Sequence, residues 1–200
     1  MIEGGRIDHA HHSGTAVRSL SETLELDRAV NRLLDLVDLE DTLVLVTADH
    51  SHTMTIGGYP GRAADIAGVV RGDTGWVMRA QDDQTIPILS YANGPGFAGL
   101  AVRNETKHKG TWRDITRSDN LGTHEHAAFD YRQPSGVPLD SETHGGDDVG
   151  IWAAGPMAHL VHATHEQSYI GHVMSLAGCI GPHAASPRCL KGHRRVKPSF

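Results

Sequence analysis

No stretch of eighteen apolar residues occurs in this 200-residue chain, so no segment reads as a membrane-spanning helix. The first residues are not a charged stretch followed by an apolar one, so no export address of the chain's own is expected. Positive charge is not in excess: 18 Lys and Arg stand against 24 Asp and Glu, for a formal net charge of −6. That balance argues against a nucleic-acid partner, and the one basic cluster, residues 191–197, reads as part of a flexible tail, residues 190–200. Cysteine is scarce. Cys179 and Cys189 lie ten positions apart in a segment containing Gly and Pro, a spacing that fits either a small disulfide loop in an oxidising compartment or two unrelated reduced thiols. No internal repeat is visible.

What the chain has in quantity is histidine, 15 of 200 residues, whose common uses are metal ligation and acid–base chemistry. Its length suits one well-filled domain, residues 1–200. Asn104-Glu105-Thr106 is an N-glycosylation acceptor triplet in a polar stretch, as on the surface loop of a secreted protein.

Leu26, Val30, Leu33, Leu34 and Val37 recur at helical spacing among charged residues, and Ser19-Leu20-Ser21-Glu22 offers a capping box ahead of them. An amphipathic helix is expected from Ser19 onward. Thr42-Leu43-Val44-Leu45-Val46-Thr47 is β-branched and nearly all apolar, as for a strand buried on both faces of a parallel sheet. Asp49 and His50 follow at its carboxyl end, where open α/β sheets bind ligands. Residues 59–138 are rich in Gly, Asp, Asn and Arg and read as an irregular insertion. A second buried strand is expected around residues 149–154 and a closing helix over residues 165–177. This order implies the α/β class.

Acids and histidines cluster in three places: residues 3–12, residues 47–52 and residues 142–148. Asp8 and His12 are four apart, so one turn of helix or a tight loop aims both at one ion, whereas adjacent Asp49 and His50 converge only if the strand end bends. Any one pair is a weak sign, because such residues are frequent in surface loops. Three clusters in one chain point to a site for two ions.

Glu3-Gly4-Gly5-Arg6-Ile7-Asp8-His9-Ala10-His11-His12, Val46-Thr47-Ala48-Asp49-His50-Ser51-His52, Tyr91-Ala92-Asn93-Gly94-Pro95-Gly96 and Thr143-His144-Gly145-Gly146-Asp147-Asp148-Val149 resemble the animal alkaline phosphatases, from the first residue to about Cys189. In loop wording the chain is nearer to invertebrate members than to bacterial forms. The resemblance implies the carboxyl-terminal part of a three-layer α/β/α sandwich, with residues 59–138 as its crown-like insertion. It implies phosphate monoester hydrolysis at alkaline pH, with two zinc ions, one magnesium ion and a phosphoserine intermediate.

Carried over residue by residue, the resemblance implies that Asp8, His12 and His144 hold the first zinc. Asp49 and His50 supply two ligands of the second, and Glu3 one ligand of the magnesium. His52 is implied as support for a ligand carboxylate, while His9 and His11 are expected to be ordinary structural histidines. The family pairs two cysteines near Cys179 and Cys189 at a shorter spacing, which favours the disulfide. Its serine nucleophile, bridging aspartate and phosphate-binding arginine belong upstream of the Glu3 motif, and Ser141 reads as a turn residue. The 200 residues alone are therefore expected to be catalytically inactive, and the alternative reading is a non-catalytic metal-binding product. The intact protein is expected to be a homodimer, secreted or anchored at the cell surface.

Overall fold

In the computed structural model, the described residues are 1–80, 84–97, 127–187 and 189; Asn104 and the basic tail lie outside them. The chain divides into two units, one made of Met1–Val30 with His50–Asp147 and the other of Asn31–Asp49 with Asp148–Phe200.

Helix α1 (Gly5–His12), in the first unit, leads into helix α2 (Ala16–Leu34), which belongs to that unit as far as Val30, through a break at Gly14, whose φ of +70° is left-handed. The amide of Gly14 donates to the His11 carbonyl at 2.7 Å, ending α1. The expected start of α2 at a Ser19 capping box is corrected: the helix begins at Ala16, and Ser19 is buried in its first turn with its hydroxyl donating to the Ala16 carbonyl at 2.9 Å. The periodic leucines show that a helix exists, but packing against the rest of the unit moves its start one turn earlier.

Two sheets complete this unit. Strand β4 (Leu89–Gly94) lies between β3 (Met54–Ile56), antiparallel to it, and β5 (Ser135–Pro138), parallel to it. Both β4 and β5 fall within residues 59–138, so this stretch contains regular strands as well as irregular chain. Leu89 and Tyr91 of β4 pack on Ala16, with Leu20 and Met54 beside them, forming the core. The small antiparallel pair β2 (Ser51–His52) and β6 (His144–Gly145) sets His52 opposite His144.

In the second unit, β1 (Val44–Thr47) pairs with β7 (Ile151–Ala154). The pairing is antiparallel, and of β1 only Val44 is buried, so the expectation of a parallel strand covered on both faces is corrected. An apolar β-branched run specifies extended backbone; the route of the chain between the strands sets their relative direction. Helix α3 (Tyr169–Ala177) follows, later than the first residues of the expected 165–177 span. No helix of the described residues is long and apolar enough to cross a membrane.

Cys179 and Cys189 are joined by a disulfide with a Cα separation of 5.5 Å, which settles the two readings of the cysteines. Closing a loop of ten residues' separation removes unfolded-state entropy worth about 2–3 kcal/mol. Reduction is expected to lower stability by that amount; equal urea midpoints with and without reductant would contradict it.

Candidate metal centre

Helix α1 sets Asp8 and His12 one turn apart on the same face, while the β2–β6 pair brings His52 and His144 up to them. Asp8 Oδ1 lies 3.3 Å from His12 Nε2 and 3.4 Å from His144 Nε2, and the two imidazole nitrogens are 3.2 Å apart. These three atoms form a nearly equilateral triangle. Ligand atoms placed tetrahedrally at zinc bond lengths are separated by roughly 3.3–3.4 Å, so the triangle has the size of one face of a zinc coordination tetrahedron. His12 Nδ1 lies 2.5 Å from the Glu142 carbonyl. With the hydrogen on Nδ1 that the carbonyl calls for, the neutral ring turns the lone pair of Nε2 toward the other two atoms. Such convergence of acceptors is what a cation offsets.

His50 Nε2 is 3.8 Å from the same Asp8 oxygen, and its ring stacks on that of His144 at 3.4 Å between centroids. Asp8, His50, His52 and His144 form one group of candidate ligand atoms all within 4.8 Å of each other, and His12, His52 and Glu142 form another. Glu3 is exposed ahead of α1 and, among the described residues, belongs to neither group. Asp49 is exposed after the end of β1, and its main-chain carbonyl accepts a hydrogen bond from Gln167 Nε2 at 2.9 Å.

Behind these candidate ligand atoms lies a further layer of contacts that the sequence reveals only in part. His52 is in contact with carboxylates at both ring nitrogens, Nε2 with Asp8 Oδ1 at 2.9 Å and Nδ1 with Glu142 Oε2 at 2.6 Å. Glu142 is fully buried, a fact that nothing in its local sequence signals. His11, expected to be an ordinary structural histidine, stacks on His52 at 4.5 Å and places Nδ1 2.8 Å from the Tyr91 hydroxyl. Exposed His9 makes no such ring contact among the described residues.

The electrostatics follow from this layering. Burial, reinforced by neighbouring His52, pulls the His11 pKa down to about 4 against the opposing pull of Glu142 and Asp8. Burial and then the Glu142 charge push Tyr91 up. For Asp8, burial acts to raise the pKa, but His12, His52 and His144 outweigh it and hold the carboxyl below its usual range. The sign for stability is the same at both depressed groups. Unfolded His11 binds a proton that the folded ring refuses, so stability is complete above pH 6.5 and falls as pH drops towards 4. The Asp8 contribution is lost lower still, beneath the ordinary carboxylate value of 3.8. Urea denaturation of the metal-free chain is expected to give a lower midpoint at pH 5 than at pH 7.5; equal midpoints would contradict it.

The model of the alkaline phosphatase family matches residues 1–180. The chain belongs to the alkaline phosphatase family. Among curated relatives, it is similar to the tissue-nonspecific alkaline phosphatase isozyme of Felis catus, 42% identical over 93% of this chain and 32% of the relative, and to that of Homo sapiens, 41% identical over 90% and 31%. The alkaline phosphatase of Gadus morhua is 40% identical over 90% of this chain and 34% of its own length. The chain thus spans about a third of the length of the curated relatives it matches. Alkaline phosphatase membership agrees with the α/β class of the fold and with a cluster of Asp, Glu and His able to hold metal.

Proposed function

We propose that this chain supplies the metal-holding part of an enzyme that hydrolyses phosphate monoesters, set in a three-layer α/β/α fold. The observation that carries the reading is the 3.2–3.4 Å triangle of Asp8 Oδ1, His12 Nε2 and His144 Nε2. These three atoms hold the first of two zinc ions, Asp49 and His50 contribute to the second, and Glu3 to a magnesium ion. Bound zinc would supply Lewis-acid stabilisation of phosphoryl oxygens and would lower the pKa of a bound water to about 7.

The chain's own residues have distinct tasks. His12 keeps its Nε2 lone pair available because Nδ1 is tied to the Glu142 carbonyl. Asp8 stays anionic because imidazoles surround it, so it presents a full negative charge to a cation. His52 fixes the rotation of the Asp8 carboxylate. The nucleophile is a serine contributed from outside these residues, passing through a phosphoserine. The disulfide, together with the Asn104 acceptor triplet, supports an extracellular or cell-surface setting, and the intact enzyme acts as a homodimer.

The test is a chimera in which the matching third of the Gadus morhua relative is replaced by this chain. Zinc-dependent turnover of p-nitrophenyl phosphate, abolished by a chelator and restored by zinc, is the expected outcome. A folded, zinc-loaded chimera without turnover would count against the assignment.

A further inference from the structure

Among the described residues Glu142 is the one acid that is fully buried. A buried carboxylate costs several kcal/mol unless each oxygen is matched by a donor, and here both are. Oε1 accepts from the Thr53 amide at 2.7 Å and from the Thr53 hydroxyl at 2.6 Å, while Oε2 faces His52 Nδ1 at 2.6 Å. The main chain of Glu142 is equally committed, its N–H donating to the His12 carbonyl at 2.9 Å and its own carbonyl accepting from His12 Nδ1 at 2.5 Å. Asn93 grips the next residue, accepting from the Thr143 amide at 3.0 Å and donating to the Thr143 hydroxyl at 2.9 Å. Gly94 presses on the same segment so closely that a Cβ there would sit 3.0 Å from Glu142 Cβ.

All these contacts lead to the metal ligands. Glu142 holds His12 directly, holds Asp8 through His52, and is followed two positions later by His144. The His52 contact falls on the same Asp8 oxygen that faces His12 and His144, so a rotation of the His52 ring moves the vertex of the triangle. We propose that Glu142 is a positioning residue of the metal centre, setting the Asp8 carboxylate through His52 and the His12 ring through its own carbonyl. The proposal rests on the metal reading given above.

Glu142→Gln preserves volume and can still accept from Thr53, but offers His52 an amide group in place of an anionic oxygen. Zinc affinity of the full chain is read by competition with a chromophoric chelator, ligand geometry by the visible absorption of the cobalt-loaded chain, and folding by far-UV circular dichroism. The expected result is a zinc affinity 10–100-fold weaker, a shifted cobalt spectrum and an unchanged circular dichroism spectrum. The loss should vanish when the same change is made in a His52→Gln background, because the link to Asp8 is already cut. Zinc affinity within twofold of the parent, or an undiminished loss in that background, overturns the proposal. If Gln at position 142 leaves the chain unfolded, Thr53→Val decides: it removes one bond to Oε1 and should weaken zinc at least threefold with the fold intact, and unchanged affinity there overturns the proposal. A parent chain that binds no zinc would sink the metal centre itself, which separates that failure from a failure of the Glu142 role.

Discussion

Replacing His144 by alanine in the chimera is expected to lower kcat/KM for p-nitrophenyl phosphate at least about a thousandfold, or about 4 kcal/mol of transition-state stabilisation. The side chain supplies one of the three atoms of the triangle, and only Asp8 and His12 remain after truncation. Catalytic zinc sites keep three protein ligands and an open position; with two, the ion is lost or displaced. The side chain is 48% exposed, so little packing leaves with it. The metal-free melting temperature should therefore hardly move, which distinguishes loss of the ion from loss of the fold. Activity within tenfold of the parent would remove His144 from the ligand set.

Gly155→Ala is expected to lower stability by about 2–4 kcal/mol. Gly155 sits at φ +95°, and a Cβ on it would lie 2.1 Å from the Thr42 carbonyl oxygen and 3.0 Å from its carbon. Both obstacles are backbone, so relief requires shifting the chain that enters β1, where Val44 pairs with Ala154. Gly171 provides the control in the same unit. It lies within α3, a Cβ added to it would meet nothing within 4 Å, and it has no positive φ, so alanine there should stabilise by about 0.5–1 kcal/mol. Urea midpoints of the two variants should move in opposite directions, and a Gly155→Ala midpoint equal to the parent's would refute the clash.

Legibility in the sequence follows the range of the interactions. The i, i+4 spacing of Asp8 and His12 needs only one helical turn, so it can be anticipated once either a helix or a tight loop is allowed. The apolar run before Asp49 announces a strand, but not its distant antiparallel partner in the register Val44↔Ala154 to Thr47↔Ile151, since strand direction is a property of the whole path. The burial of Glu142 is hidden for a similar reason. It depends on Thr53 and His52, about ninety positions away, so the cluster at residues 142–148 marks Glu142 as an acid near a histidine but not as a buried one. His11 looks unremarked in the sequence because its contacts, Tyr91 and the His52 ring, are likewise brought in by other strands. Ligand types are written locally, whereas the groups that orient them come from the fold.

Zinc-edge anomalous diffraction from crystals of the chain grown with zinc tests the metal centre most directly. A peak is expected about 2.0–2.2 Å from each of Asp8 Oδ1, His12 Nε2 and His144 Nε2. Strong peaks elsewhere on the chain, with none inside that triangle, would contradict it.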